Sequence, residues 1–152
     1  MNFCLEIKGT FLKSVIAAIL IMGFQAKAQK SQFSIVGNWE SIDYWKSKGK
    51  AAFTKDGYVS ITINGEEIDG KNFIIHGGPN NGQKGEFKYK IDTDKRPIQI
   101  DFIALKDNQE KGRLLGIIVP VNDSKFFMQI SIDGKRPENI DHNETITLTK
   151  TE

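Results

Sequence analysis

The sequence is poor in the side chains that most often carry chemistry. Its 152 residues include one cysteine, Cys4, and two histidines, His76 and His142. The histidines lie far apart and have no H-x-x-x-H or C-x-x-C companion. A disulfide framework, a cysteine nucleophile and a transition-metal site are therefore not expected in the folded domain. We expect neither a metal ion nor a cofactor.

Catalytic motifs are also lacking. The stretch HGGPNNG, residues 76–82, contains the H-G-G of esterase oxyanion loops, but the sequence has no G-x-S-x-G nucleophile elbow to accompany it. The stretch also lacks the G-K-[ST] of a phosphate-binding loop. We interpret it as a glycine- and asparagine-rich loop between strands, and we predict that the protein is not an enzyme.

Only one long apolar run is present, and it lies near the amino terminus. Lys8 and Lys13 lead into the apolar residues 14–24, and the small residues of AKA, residues 26–28, follow. This order is typical of a secretory signal peptide, and the run has about half the length that a membrane-spanning helix needs. We predict a signal peptide over residues 1–28 and a mature domain over residues 29–152, exported to the periplasm or secreted. The alternative is an uncleaved amino-terminal anchor.

The mature domain has no excess of either charge. Three of the 21 basic residues and one of the 19 acidic residues lie in residues 1–28, which leaves equal numbers of each in the remainder. A neutral domain does not have the basic surface that nucleic acids require. We therefore expect no nucleic-acid partner, and membrane contact only during export.

Short strand patterns separated by turn signals fill the mature domain. In YVSITI, residues 58–63, apolar and polar side chains alternate, and the hairpin pair Asn64-Gly65 follows directly. Eight or nine such patterns recur at roughly 8–12-residue spacing, and none sustains helical periodicity. The sequence therefore predicts an all-β antiparallel barrel or sandwich.

Three consecutive strand patterns permit a prediction of register. Residues 97–105, 113–121 and 125–132 are joined by polar segments, so we treat them as two hairpins. The alternation then places six apolar residues on one face: Ile100, Phe102, Ile117, Val119, Met128 and Ile130. Asp101 falls on the opposite face with Gln99 and Gln129. We interpret it as a solvated carboxylate that can pair with a basic residue of a neighbouring strand.

Two groups of residues resemble a known family. Gly37 and Trp39 are similar to the G-x-W start of lipocalins. The second half resembles a lipocalin-like family of exported bacterial proteins, common in planctomycetes and without a settled function. Its pattern K-x-P-x-x-I-D, G-I and R-P is matched in order by Lys95-Arg96-Pro97, Ile100-Asp101, Gly116-Ile117 and Arg136-Pro137. Ile118 and Ile140 stand where that family has aromatic residues. The resemblance covers about half of the mature domain and implies an up-and-down barrel of about eight strands, with no catalytic residue to carry over.

The resemblance also implies how one end of the barrel closes. In lipocalin-type barrels the tryptophan plugs this end, and a basic residue from the last strand covers it. The barrel-closing residues here would be Gly37, Trp39 and Lys150, with Arg136 as the second candidate for the cation. The alternative is that Trp39 fills the core without a special partner.

A barrel of this size has an interior that either fills with side chains or holds one small ligand. We expect a non-catalytic protein that binds a small apolar or amphipathic ligand between inward-facing residues: Ile61, Phe87, Tyr89, Ile100, Phe102, Ile117, Met128 and Ile130. The alternative is a structural or protein-interaction barrel with a filled core and no ligand. Its partner surface would then be the outward-facing residues of the register above: Leu114, Ile118 and Phe127.

Overall fold

A computed structural model of the protein describes residues 33–151, and its regular structure there consists of ten strands. They are β1 (Gly37–Ile42), β2 (Lys48–Phe53), β3 (Val59–Ile63), β4 (Glu66–Ile68), β5 (Phe73–Ile74), β6 (Lys84–Asp92), β7 (Ile98–Lys106), β8 (Gln109–Asn122), β9 (Lys125–Ser131) and β10 (Ile146–Lys150). Within this range no helix is long and apolar enough to cross a membrane. The predicted signal peptide, residues 1–28, lies outside the described residues.

All strand pairs are antiparallel, and the strands follow one another in the order β4-β3-β2-β1-β10-β9-β8-β7-β6-β5. The sheet curls into a nearly closed barrel in which the first and last strands, β1 and β10, are neighbours. The prediction of an all-β antiparallel fold is confirmed. The prediction of about eight strands is wrong: ten are present, and the two short strands β4 and β5 form the edges of the sheet.

The barrel closes where β3 approaches β6. Tyr58 and Lys88 form a bridge, and the Tyr89 N–H donates to the Gly57 carbonyl at 2.8 Å. The Phe87 N–H donates to the Gly70 carbonyl at 2.7 Å. We call this contact the seam. It joins β6 to β3 and to the residues that follow β4.

Chain direction defines two ends of the barrel. At the plugged end lie the start of β1, the finish of β10 and the connections 54–58, 93–97 and 123–124. At the rim end lie the finish of β1, the β1–β2 turn 43–47, the turns 64–65 and 107–108 and the β9–β10 connection 132–145. The two ends differ in how completely side chains fill them.

Aromatic and aliphatic side chains fill much of the interior. The Phe53 ring lies 5.2 Å from that of Tyr89 and 6.3 Å from that of Phe102, between ring centroids, and the Phe87 and Phe102 centroids are 5.9 Å apart. The fully buried members of this core include Val59, Ile100, Phe102, Phe126, Ile118 and Leu148. Burial of each such side chain contributes about 1.5–3 kcal/mol.

Strand β8 presents the opposite face to the core from the one predicted. Ile118 is opposite Ile98 and Met128, so it faces the core and is 0% exposed. Ile117 is opposite Gln99 and Gln129 and faces outward. The predicted inward position of Ile117 and outward position of Ile118 are therefore both wrong.

The cause is an irregularity in each of the two hairpins that contain β8. The pairing shifts between Ala104 and Leu105 in the first hairpin, and between Pro120 and Asn122 in the second. Because side chains alternate with period two, a shift of one residue moves every side chain of β8 to the other face. Leu114, predicted to face outward, consequently shares the inner face with Phe102.

Candidate functional site

The plugged end is filled by rings around Trp39, which is 1% exposed. Its Nε1 donates to the Ile35 carbonyl at 2.7 Å, and its ring centroid is 4.6 Å from that of Phe126. Lys150 is the cross-strand neighbour of Trp39, with Nζ 5.7 Å from the Trp39 ring centroid. Gly37 adopts a φ of 136°, and a Cβ there would lie 3.2 Å from Lys150 Cε. Glycine at this position therefore leaves room for the lysine.

Arg136, the second candidate for covering Trp39, lies elsewhere. It belongs to the 132–145 connection, which folds back over the outer face of β7 and β8. Its Nη1 donates to the carbonyls of Ile100 at 3.0 Å and Gly116 at 2.7 Å, and its Nη2 donates to Asp101 Oδ1 at 2.5 Å. The prediction for Arg136 is wrong because its guanidinium is engaged on the outside of the barrel.

Asp101 lies on the outer face but is not a solvated carboxylate. Arg113 Nη1 donates to its Oδ2 at 2.5 Å, opposite the bond from Arg136, and only 14% of the side chain is exposed. Burial opposes ionisation of Asp101, but the hydrogen bonds from Arg136 and Arg113 outweigh it and hold the pKa of the carboxyl below its usual range. Arg113 also pairs with Glu110. Arg113 is a basic residue of the neighbouring strand β8, as the sequence led us to expect, whereas Arg136 was not expected as a partner of Asp101.

The contacts of Arg136 account for much of the pattern on which the resemblance rests. Ile100, Asp101 and Gly116 each supply an acceptor to this one guanidinium. These residues therefore attach the 132–145 connection to the sheet. Their arrangement does not require a ligand.

The eight candidate lining residues fall into three groups. Ile100, Phe102 and Met128 are buried in the core. Ile117 is outside the barrel, as described above. Four are partly buried and pack against the core: Ile61, Phe87, Tyr89 and Ile130. An apolar wall that is not completely covered therefore remains on the inner face.

Exposed apolar side chains are concentrated at the rim end. Of the eight large hydrophobic residues that are exposed among residues 33–151, seven lie at or near this end: Ile42, Tyr44, Trp45, Ile63, Ile74, Leu114 and Ile132. The eighth, Val121, lies close to the plugged end. The exposed apolar side chains of the described residues are thus concentrated at one end of the barrel.

Some of these exposed residues extend the inner wall. Ile63 follows Ile61 by two residues on β3 and is 48% exposed, and Ile132 follows Ile130 by two residues, just beyond the end of β9, and is 91% exposed. Leu114, opposite the buried Phe102, is 37% exposed. We call Ile63, Leu114 and Ile132 the mouth. Exposure thus increases along the inner face from the core to the rim end.

Two cavities lie away from this inner wall. One of about 600 Å³ lies over β1–β3 and is lined by residues that include Glu40, Ile42, Lys48, Lys50 and Thr62. Another of about 330 Å³ is lined by residues that include Tyr44, Phe127, His142 and Thr147. None of the eight candidate lining residues contributes to either.

Residues 76–82 connect β5 and β6, as predicted. The Gly77 N–H donates to Asn81 Oδ1 at 2.7 Å, and the Gly82 N–H donates to the Ile75 carbonyl at 2.8 Å. Local hydrogen bonds therefore explain why this stretch forms a turn. Among the residues that the structure describes, no three His, Cys, Asp or Glu side chains are grouped to hold a metal ion.

No family model, no curated protein and no solved structure matches this chain. The lipocalin-like resemblance therefore stays a prediction. We infer function from the geometry of the barrel and its rim end.

Proposed function

We propose that the protein is a non-catalytic binding protein that holds a small apolar or amphipathic molecule at the mouth. The observation that carries this proposal is the increase in exposure along the inner face toward the rim end, from the buried Ile118 to the exposed Leu114 on β8 and from the buried Val59 to the exposed Ile63 on β3. Covering one such side chain contributes about 1.5–3 kcal/mol, so a ligand that covers two or three of them gains appreciable affinity.

The packing of the interior favours a ligand in the outer half of the barrel. Near the plugged end Trp39, Phe126 and Leu148 are at most 1% exposed. Toward the rim end the wall consists of partly buried residues, among them Ile61, Phe87 and Ile130. A ligand held there would have its apolar part against this wall and its other end in water, which favours an amphipathic molecule.

We also propose that the protein is exported and lipocalin-like. The support for export is the order of basic, apolar and small residues in residues 1–28. The support for a lipocalin-like barrel is the arrangement of Gly37, Trp39 and Lys150 at the plugged end.

A structural or protein-interaction barrel is the second candidate. The ring contacts that join Phe53, Phe87 and Phe102 favour it, because a filled interior needs no ligand. Of the surface expected from the sequence, Leu114, Ile118 and Phe127, Ile118 is fully buried and Leu114 lies on the inner face, so only Phe127 remains on the outer face. A protein partner would contact the exposed apolar residues of the rim end.

Titration with a fluorescent fatty acid in solution tests the proposal. We expect saturable binding that Ile63→Asp and Leu114→Asp each weaken by about tenfold or more, because each loses apolar contact with the probe. Val121→Asp is the matched control: it places the same charge on an exposed apolar residue close to the plugged end, and it should leave binding unchanged. Non-saturable binding, or equal losses in all three variants, would favour the second candidate. Native mass spectrometry of protein purified from its host would then detect a co-purified ligand if one exists.

A further inference from the structure

The β1–β2 turn projects two aromatic rings from the rim end. The Asp43 carboxylate accepts the Ser47 N–H at 2.8 Å, and the Lys46 N–H donates to the Asp43 carbonyl at 3.0 Å. These bonds define a compact turn in which Lys46 has a positive φ of 69°. The Tyr44 and Trp45 ring centroids are 3.9 Å apart, and Trp45 is 73% exposed. The turn therefore holds Trp45 out in solvent.

Lysines flank this aromatic pair. Lys46, Lys48 and Lys50 are exposed, and none of them forms an ion pair with another described residue. The carboxylate of Asp43 is hydrogen-bonded within the turn. Glu40, which lies opposite Lys50, and Asp43 are the acidic residues of the hairpin. The hairpin therefore carries a small excess of positive charge, and Lys46 and Lys48 lie beside the exposed aromatic rings.

This combination fits the surface of a lipid bilayer that contains anionic lipids. Tryptophan and tyrosine are enriched where a membrane meets water, because their rings are amphipathic. Lysines close to such a surface are attracted to anionic headgroups. Ile42, Ile63 and Ile132 are exposed at the same end and can contact the boundary between headgroups and acyl chains.

We propose that the rim end docks on an anionic bilayer through the β1–β2 hairpin, with Trp45 at the interface and Lys46 and Lys48 on lipid phosphates. This goes beyond the proposed function, because Trp45, Lys46 and Lys48 are not part of the mouth, and Ile63 and Ile132 of the mouth are shared by the two proposals. The proposal also means that the folded domain contacts a membrane after export, whereas the sequence alone led us to expect contact only during export. An acidic polysaccharide would match the lysines and the rings, but it gives no role to the exposed isoleucines. The bilayer is therefore the better match.

Vesicle flotation and tryptophan fluorescence test the proposal. The protein is purified from its host and mixed with vesicles of phosphatidylcholine alone or of phosphatidylcholine with phosphatidylglycerol. We expect flotation with the anionic vesicles only, weakening as salt is added. Trp45 emission should shift to shorter wavelength. Trp45→Phe should abolish this shift, because the remaining tryptophan, Trp39, is 1% exposed in the core.

Charge-reversal variants test whether vesicle binding depends on the lysines of the hairpin or on lysines elsewhere in the protein. Lys46→Glu and Lys48→Glu should each weaken vesicle binding by about fivefold or more. Lys55→Glu and Lys95→Glu make the same change at exposed positions of the plugged end, and they should have little effect. All variants share the same amino terminus, so differences between them report on the folded domain.

Three results would overturn the proposal: equal binding by hairpin and plugged-end variants, equal binding to neutral and anionic vesicles, or binding to an acidic polysaccharide without binding to vesicles. Failure here is distinguishable from failure of the proposed function. The hairpin variants should still bind the fluorescent fatty acid in solution, whereas Leu114→Asp impairs that binding without changing the hairpin.

Discussion

At the scale of single residues, Asp101 shows how a strand pattern can be correct about direction and wrong about environment. Its side chain points away from the core, as alternation predicts, yet Arg113 and Arg136 enclose it. Arg113 comes from the neighbouring strand, but Arg136 is 35 residues away in the sequence. The second partner therefore depends on how the β9–β10 connection folds.

Removing the charge of Asp101 should destabilise the protein at neutral pH. Asp101→Asn leaves the half-buried Arg136 without its anion, and the expected loss is about 1–3 kcal/mol in the free energy of unfolding. Because the folded-state pKa is depressed, the contribution is fully present above the pKa of the unfolded carboxyl, about 3.9. It is lost as the pH falls from there through the folded-state pKa.

Urea melts at pH 7 and at pH 3 measure this difference. The difference in free energy of unfolding between the native protein and Asp101→Asn should be smaller at the lower pH. Asp94→Asn, in an exposed turn, provides the control and should change little at either pH. A gap that stays constant or widens on acidification would mean that the ion pairs do not stabilise the fold.

At the scale of elements, the 132–145 connection lies against the outer face of β7, β8 and β9. Besides Arg136, Gln129 anchors it, since its Oε1 accepts the Asp141 N–H at 2.6 Å and its Nε2 donates to Glu144 Oε2 at 2.9 Å. Gln129 is 6% exposed, and its outward-facing neighbour Ile117 is 1% exposed. A connection without regular structure is thus attached to the sheet by side-chain hydrogen bonds.

Replacing Arg136 by lysine should loosen this connection without unfolding the barrel. An ammonium cannot reproduce the planar set of donors that reaches two carbonyls and a carboxylate at once. We expect faster amide hydrogen exchange in residues 132–145 and unchanged protection in β1–β3. Arg96→Lys is the control, because Arg96 bonds only carbonyls of its own turn, those of Thr93 and Lys95. Unchanged exchange in Arg136→Lys would show that the guanidinium does not hold the connection.

At the scale of the whole molecule, the seam determines whether the sheet closes into a barrel. Gly70 bridges the gap: its carbonyl accepts the Phe87 N–H, and its N–H donates to Ser60 Oγ at 3.0 Å. A Cβ on Gly70 would lie 2.6 Å from the Val59 carbonyl oxygen. The backbone at Gly70 therefore lies too close to the backbone of Val59 for any side chain to fit between them.

Gly70→Ala should therefore strain the closure. We expect a loss of about 1–3 kcal/mol in the free energy of unfolding, typical of overpacking at a tight contact. Gly112→Ala is the matched control, because a Cβ there has no atom within 4 Å, and it should be neutral or slightly stabilising. Chemical denaturation of both variants measures the difference. Equal stability would show that the seam can relax around the added methyl group.

The sequence by itself determined the class of fold and the faces of several strands. Alternation is a local property, so it placed Phe87 and Tyr89 on β6, Ile100 and Phe102 on β7 and Met128 on β9 correctly on the inner face. Turn pairs such as Asn64-Gly65 marked strand ends for the same reason. Of the candidate site, the sequence predicted part of the inner wall but not the rim end.

The tertiary structure alone decided the rest. Each irregularity beside β8 adds one residue to one strand only, which no periodicity reveals, and together they reversed Ile117 and Ile118. The partner of Arg136 and the closure at Gly70 depend on segments that are distant in sequence. The mouth can be identified only in the tertiary structure, because the exposure of its three side chains depends on how β3, β8 and β9 pack against all their neighbours in the barrel.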